Sequence, residues 1–560
     1  MPSVGISEQH PQATPWSARV LAVLAGAALL GILPLIFKGN VAAHDLQFHI
    51  SSWNEIASQW RHGIFWPRWA AMANYGFGEP RFIFYPPASW LLGGSLALWL
   101  PTRALPTAFS FIAFLAAGAG MFTLARRYVA QKYALAAAVL YALNPYHLIT
   151  VYWDFRVAEM LASAVFPIAM LYGLKSREGP KWAADLAVAV AAVWLMNAPA
   201  GVMLMYTLGV LLVELALSER SIRPLINGVA GMALGIGLAA FYIVPAAYEQ
   251  SWVNIIGIFG SGLTPRENFL FSVATDPPHT YFNFLVSGIA LEQIALFLFV
   301  LPFAWKASRQ NDSRRWFEGF AALGILAAAM MFRFSSVLWS LPKMQFVQFP
   351  WRWLLVLNLA LCLVGMLALS MARTKWLWVA LIIFLFAFTE RDVIRQASWG
   401  RRSVAEMFWS TSPDGYRGAK EYLPHEVHLP PTPYVLPSAT LAELSCEIPC
   451  APESMRLLRW SEEEKRIQVS TAVPASLVLK LYDYPAWKTY IDGAAQPHET
   501  TYGGQIKVDL RPGRHEVVVR FTRTPDRTVG SVISLVSAFI LVALMFLSSS
   551  RYSRAASNRG

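Results

Sequence analysis

Charge is scarce in this chain. Of 560 residues only 14% are Asp, Glu, Lys or Arg, while 56% are hydrophobic; an average soluble domain carries about 25% charged residues. The deficit excludes an ordinary water-soluble fold for most of the chain. Cysteine is scarcer still, and three residues exclude a disulfide framework. Cys362 sits inside an apolar run and reads as a small packing residue. Cys446 and Cys450 lie in a polar stretch and could pair in an oxidising compartment, a question their spacing leaves open. There is no Gly-rich phosphate loop, which argues against a nucleotide-linked substrate. The net charge of +12 is no sign of nucleic acid, because the basic residues sit in short clusters between apolar runs.

What is present is a series of apolar runs near the roughly 20 residues that a spanning helix needs. They fall near 17–37, 104–126, 133–150, 158–174, 182–198, 200–217, 225–247, 284–305, 316–333, 351–371, 375–390 and 527–549, about twelve in all. Residues 1–16 are polar and read as a cytoplasmic tail. The run Val20–Phe37 follows Arg19 and exceeds the usual signal-peptide core, so it reads as a retained first helix. The shorter stretch 88–101, between Pro86-Pro87 and Pro101, reads as an interfacial or re-entrant helix.

Charge then sets an expected topology. With the N-terminus inside, the inner loops hold Arg126, Arg127 and Lys132; Lys175, Arg177 and Lys181; Arg220 and Arg223; Lys306, Arg309, Arg314 and Arg315; Arg373 and Lys375; and Arg551, Arg554 and Arg559. Every short inner loop is basic, so both termini are expected in the cytoplasm of a bacterial inner-membrane protein. The loops 38–103, 151–157 and 248–283, the break 334–350 and the block 391–526 then lie outside.

The outer block changes character. Prolines cluster at Pro424, Pro430, Pro431, Pro433 and Pro437, and alternating runs follow at Ile467–Val469, Ser476–Leu481, Ile506–Leu510 and Glu516–Phe521. Asp492-Gly493 and Pro512-Gly513 punctuate them as turns. The expected architecture is a mainly α membrane protein: a transmembrane domain over 17–390 with a large first outer loop 38–103, an extracytoplasmic β-sandwich within 391–526, a final transmembrane helix 527–549 and a cytoplasmic tail 550–560. No acid, His or Cys cluster marks the β-rich block as chemical, so it reads as a lid or a carbohydrate-contacting module.

The first outer loop concentrates polar chemistry. It holds His44, Asp45 and His49, then Trp66-Pro67-Arg68-Trp69, then Gly78-Glu79-Pro80-Arg81 and Tyr85-Pro86-Pro87. An Asp just outside the first span has a partner or a task. Asp45 and His49 are four apart and share a face on a helix. A carboxylate there can take a proton from an acceptor hydroxyl or hold a divalent ion. The plainer alternative is that Asp45 caps the following helix.

The arrangement resembles the GT-C superfamily of integral-membrane glycosyltransferases. In that fold the first outer loop opens on an acidic catalytic residue, matched here by Asp45. A Tyr-Pro-Pro or Lys-Pro-Pro element then leads a juxtamembrane helix, matched by Tyr85-Pro86-Pro87, before a second span ending in arginine, matched by Arg126-Arg127. Closer still in pattern are bacterial YfhO-like membrane proteins and those described as 6-pyruvoyl-tetrahydropterin synthase-related. These share the phrase Gln348-Phe349-Pro350-Trp351-Arg352, an outer Arg-x-x-Glu (Arg156 and Glu159), and Pro-x-Trp-Lys-x-Tyr-x-Asp-Gly over 485–493 before a last span. No zinc-like His set accompanies the pterin label, so pterin chemistry is not expected. The resemblance implies transfer of a sugar from a polyprenyl-phosphate carrier to a glycan, lipid or protein acceptor at the outer membrane face. It makes Asp45 the general base or a metal ligand, with His44 and His49 tuning it. Asp45 and His49 are then the candidates for a divalent metal, Mg or Mn. The loop departs from the better-known GT-C enzymes in offering no clear paired second acid; Glu55 and Glu79 are both ambiguous, and metal dependence stays open.

A leaving phosphate needs cations at membrane depth, and the arginine fork fits phosphate oxygens. Arg352, Arg156 and Arg81 are candidates, with Tyr85, Gln348, Glu159 and Asp154 beside them in the outer segments; snorkelling to headgroups is the alternative for each arginine. Glu292, beside Gln293, falls near the middle of a span and is a candidate on that ground. Trp53, Trp60, Trp66 and Trp69 suit sugar stacking or an interfacial belt equally. Two other functions compete: a lipid-linked glycan transporter or flippase, and a non-catalytic scaffold. A transporter predicts repeats, paired broken helices or charge at mid-membrane, and the sequence shows no repeat and little buried charge.

Overall fold

A computed structural model of the chain describes residues 16–310, 313–372, 375–399, 415–428, 437–443 and 455–557. Cys446, Cys450, Pro430, Pro431 and Pro433 lie outside the described residues. The structure is mainly helical, with a β-sheet region before the last helix. Among the described residues eight helices are long and apolar enough to cross a membrane, and two bent pairs raise the count to as many as ten.

The helix ends follow local chemistry. The helix Ala18–Lys38 starts where the Ser17 hydroxyl accepts the Val20 N–H at 3.3 Å. It stops at Gly39, whose φ of 86° suits glycine and whose N–H returns to the Leu35 carbonyl. Lys38 in the last turn complements the helix dipole. The chain then turns into the helix Leu46–Arg61, which packs on the helix Pro87–Ala97. Gly93 allows that contact, since a Cβ there would lie 2.2 Å from the Trp53 ring. Trp53 in turn stacks on Phe109 of the helix Leu105–Ala125, with centroids 4.8 Å apart. The same helix meets Val157–Lys175 so closely that a Cβ on Gly120 would fall 1.8 Å from the Ala164 carbonyl oxygen.

The run expected as one helix over 133–150 is interrupted. A helix covers Gln131–Ala142, and Asn144-Pro145 then starts a new turn over Pro145–Ile149. Proline removes the N–H that would continue the helix, and the Asn144 side chain caps the new turn by accepting the His147 N–H at 3.0 Å. The 88–101 stretch forms a helix over Pro87–Ala97. At the centre of the bundle lies Leu354–Met371; the span Pro350–Ser370 is 94% buried, whereas the last span, Pro525–Phe546, is only 11% buried and lies at the periphery.

The alternating runs fold as strands. One sheet has the order β1-β4-β8-β7, from Ala439–Glu443, Ala475–Tyr482, Gln505–Leu510 and Glu499–Thr500. The other has the order β2-β3-β9-β5-β6, from Met455–Trp460, Glu464–Thr471, Gly513–Phe521, Trp487–Ile491 and Ala494–Gln496. All pairings are antiparallel. Ile467, Val469, Leu477, Leu479, Val517 and Val519 belong to one buried cluster drawn from both sheets. Asp492 and Gly493 join β5 to β6 with φ of 51° and 83°, the left-handed pair that a tight two-residue hairpin needs.

A buried ion pair ties this region to the bundle. Arg527, at the start of the last helix, donates to both carboxylate oxygens of Glu249 at 2.8 and 3.0 Å, and the Tyr484 hydroxyl donates to the same carboxylate. The fork fixes orientation more than it adds stability, because both charges had to leave water.

Candidate functional site

Five polar segments, separate in sequence, meet around one end of the bundle. His44 and Asp45 donate their backbone N–H groups to the carbonyls of Trp153 and Asp154 at 3.1 and 2.8 Å. The Trp153 indole donates to the Val393 carbonyl at 3.0 Å, the Gln348 amide to the Ile258 carbonyl at 2.7 Å, and the Asn254 N–H to the Leu423 carbonyl at 2.9 Å.

Asp45 occupies the N-cap position of Leu46–Arg61 but its side chain makes no cap hydrogen bond. It turns instead to His44, with Nδ1 2.8 Å from Oδ1. The carboxylate is therefore not spent on helix capping, and at 36% exposure its side chain is reachable from water. Burial pushes the Asp45 carboxyl up, but the His44 hydrogen bond and the charges of His44 and Arg156 outweigh it and hold it below the usual carboxylate range. His44, largely exposed, is pushed up to about 9, first by its bond to Asp45 and then by that group's charge. The pair is thus ionised on both sides at neutral pH.

His49 behaves oppositely. It is buried against the rings of Trp53, Tyr85 and Phe155 at 5.5–5.9 Å. Burial drives it down to about 4, so it is a neutral imidazole. Its Nε2 lies 3.4 Å from the Tyr85 hydroxyl, a long hydrogen bond. Burial likewise pushes the Tyr85 hydroxyl well up, so it stays protonated.

Beneath the His44–Asp45 pair lies an arginine–carboxylate network. Arg156 Nε donates to Asp154 Oδ2 at 2.9 Å and Nη1 to Glu159 Oε2 at 2.6 Å. Its guanidinium lies over Trp351, 4.5 Å from the ring centre. Arg352 Nη1 donates to the Val347 carbonyl at 2.8 Å, and Nε stands 3.2 Å from Glu159 Oε2 without hydrogen-bond alignment. The Tyr146 hydroxyl donates to the other oxygen of Glu159. Arg352 Nε and Arg156 Nη2 are both buried and held in ion pairs without hydrogen-bond alignment, Arg156 Nη2 at 2.8 Å from Asp154 Oδ2. Two buried guanidinium groups therefore hold ion pairs of incomplete hydrogen-bond geometry in the same cluster as the partly exposed Asp45.

Unusual backbone presents these groups. Thr150–Asp154 form a widened π turn that ends at Phe155, held left-handed at a φ of 55°. Gln348 is held at a φ of 62° just before the Pro350–Trp353 turn that carries Arg352. Such conformations are costly for residues other than glycine and cluster where side chains must be aimed.

The structure thus brings together Asp45, His44, His49, Tyr85, Asp154, Arg156, Glu159 and Arg352. Gln348 lies at the edge and braces the 248–283 loop. Arg81 is elsewhere, fully buried against Glu79 at 2.6 Å and Ser52 at 2.9 Å, with Phe48 and Tyr416 on its faces. Glu55 joins that inner network by accepting from the Tyr416 hydroxyl and the Met72 N–H, and burial pushes it up to about 7. Glu55 and Glu79 thus serve the loop's own packing, whereas Asp154 lies within electrostatic reach of the Asp45 carboxyl. Trp53 is a packing residue. Glu292 accepts from Thr389 on a neighbouring helix. Tyr146 was missed by sequence reasoning, and Trp351 was noted only within the phrase over 348–352, without a role; the Asn-Pro break at 144–145 is the one signal that could have drawn attention to Tyr146.

The donor set does not fit a metal. Among the described residues no three His, Cys, Asp or Glu side chains converge as an ion-binding group. Asp45 is engaged with His44, and His49 faces Tyr85. No step is therefore assigned to a metal.

Fold and site together define a polytopic membrane protein with an acid–arginine cluster at one end of its helices. The chain belongs to the family described as "6-pyruvoyl-tetrahydropterin synthase related domain; membrane protein", which it matches over residues 82–398. That region contains Tyr85, Asp154, Arg156, Glu159, Gln348 and Arg352 but begins after Asp45. No curated protein matches the sequence. Among solved structures, the chain is similar to the arabinofuranosyltransferase AftD from Mycobacteria, at 18% identity and a TM-score of 0.45, covering 70% of this chain and 27% of that one. It is also similar to ArnT from Cupriavidus metallidurans bound to undecaprenyl phosphate, at 14% identity and a TM-score of 0.40, covering 66% of this chain and 64% of that one. The chain thus spans about a quarter of the first of these and just under two thirds of the second.

Proposed function

We propose that this protein is a membrane glycosyltransferase that moves a sugar from a polyprenyl-phosphate carrier to an acceptor hydroxyl at the outer face of a bacterial cytoplasmic membrane. The observation that carries the reading is the cluster that joins a partly exposed carboxylate, Asp45, to two buried arginines whose ion pairs are not fully aligned, Arg352 and Arg156. The resemblance of the first outer loop to GT-C enzymes supplies the reaction.

In this reading the acceptor O–H gives its proton to Asp45 as its oxygen bonds to the anomeric carbon. The bond from that carbon to the phosphate oxygen breaks, and the electron pair leaves with the carrier. The departing phosphate gains negative charge, and the guanidinium groups of Arg352 and Arg156 are placed to favour that charge over the ground state. His44 holds the Asp45 carboxylate ionised and oriented. Asp45 returns its proton to water on the exposed His44 side.

The membrane arrangement follows the same reading. Beyond the ten spans counted with the bent pairs, the helices Lys181–Met196 and Lys375–Gln396 bring the total to twelve. The basic inner loops favour cytoplasmic termini, and the two antiparallel sheets form a β-sandwich over the outer face. The acceptor is a cell-envelope glycan, lipid or protein.

The test is sugar transfer by the purified chain, using radiolabelled polyprenyl-phosphate sugars and a membrane extract as acceptor source. Asp45→Asn is expected to cut transfer by roughly 10²–10⁴-fold, the usual contribution of a general base, while the protein stays folded. Equal transfer by both forms removes Asp45 from the mechanism.

A further inference from the structure

A cavity lies away from the Asp45 cluster, where the first outer loop, the β region and the last helix meet. Its volume is about 680 Å³, within the range of small-molecule sites. One wall is apolar and aromatic, with Ile64, Phe65, Trp66 and Phe241. The other carries Arg68, Arg523 and Arg527, with Glu463 as its one acid.

The three arginines are not equally engaged. Arg527 is taken by Glu249, and Arg68 is paired with Glu463 at 2.8 Å. Arg523 is exposed and has no acidic partner among the described residues; it donates to Ser531 Oγ at 2.5 Å, Thr528 Oγ1 at 3.2 Å and the Arg527 carbonyl at 3.1 Å. Arg523 thus presents a guanidinium outside any ion pair just before the last helix, while the carboxylate of that helix's first turn, Asp526, is buried. This helix is the least buried of the spans, so the cavity sits beside a lipid-facing surface. Trp66 packs edge-on against Trp90 and Phe241 at 5.1 and 5.8 Å, the amphipathic ring chemistry of a headgroup-level belt.

We infer that this cavity binds the singly charged phosphodiester headgroup of a membrane lipid, with Arg523 on the phosphate and the acyl chains along the Phe65–Phe241 wall. One guanidinium outside any ion pair suits a phosphodiester better than a phosphomonoester, which carries about −1.5 to −2. The site holds the last helix and β region against the bundle through a bound lipid. It stands independently of the transfer reaction.

The full chain, purified in mild detergent, is titrated with phosphatidylglycerol, phosphatidylcholine or inorganic phosphate, and retained ligand is counted by native mass spectrometry. The expected result is selective retention of phosphatidylglycerol, weakened on the order of tenfold or more by Arg523→Ala, as for a lost charge-assisted contact. Arg523→Lys is expected to keep most of it, and Arg352→Ala to leave it unchanged. If Arg523→Ala does not fold, Arg523→Gln against Arg523→Lys makes the same comparison. Equal retention of the two lipids, equal retention by Arg523→Ala, or a loss confined to Arg352→Ala overturns the inference. Full competition by inorganic phosphate shows a free-phosphate site and overturns its lipid part.

Discussion

Neutralising Glu159 tests the buried network most severely. Its carboxylate accepts from Arg156 at 2.6 Å, stands 3.2 Å from Arg352 Nε and accepts from Tyr146. Glu159→Gln keeps the side-chain volume, so no cavity opens and the effect is electrostatic. Two guanidinium groups then share Asp154 alone, and removing one partner of a buried pair costs about 3–5 kcal/mol. Arg352→Met removes one of the stranded cations. The double variant is therefore expected to be more stable than the sum of the single losses, by about 1–2 kcal/mol within the range for contacting residues. The assay is SDS-driven unfolding of the purified chain in mixed micelles, followed by circular dichroism. A Glu159→Gln chain within about 0.5 kcal/mol of wild type, or a strictly additive double variant, would refute the reasoning.

Two further outcomes concern pH. Replacing His44 with Gln removes the hydrogen bond and charge that hold Asp45 below the usual range, while the upward push of burial remains. The acid limb of the transfer–pH profile is therefore expected to move to higher pH, and an unmoved limb would separate His44 from Asp45. Glu55 has a folded value raised to about 7. A carboxyl raised on folding stabilises the folded state below its unfolded value and loses that contribution as pH rises through the folded one. Between about pH 4.5 and 7 its loss is on the order of 3 kcal/mol, at about 1.4 kcal/mol per pH unit. Glu55→Gln is expected to flatten stability over that window; an unchanged slope would contradict the assignment.

Much of the plan was legible in the sequence because its signals are local. Alternation in 476–481 and 516–521 and the Asp492-Gly493 turn need only neighbouring residues, and they fold as strands and a tight hairpin. Asp45, Arg156, Glu159 and Arg352 were found as outward-placed polar residues beside apolar runs, and their meeting is a property of the fold. What was not legible depended on distant partners. Arg81 has the same composition signal as Arg352, yet the fold buries it on Glu79. His49 shares a helix face with Asp45, but the rings from residues 53, 85 and 155 make it neutral. The π turn at 150–154 and the Glu249–Arg527 pair, 278 residues apart, carry no sequence mark at all.

The central claim is that Arg352 and Arg156 receive a carrier phosphate beside Asp45, and an electron cryo-microscopy map of the chain with polyprenyl phosphate tests it most directly. The account predicts phosphate density within hydrogen-bond reach of Arg352 Nε and Arg156 Nη2, on the Asp45 side of Trp351. A phosphate bound elsewhere, with the Arg156–Glu159–Arg352 network undisturbed and empty, would contradict it.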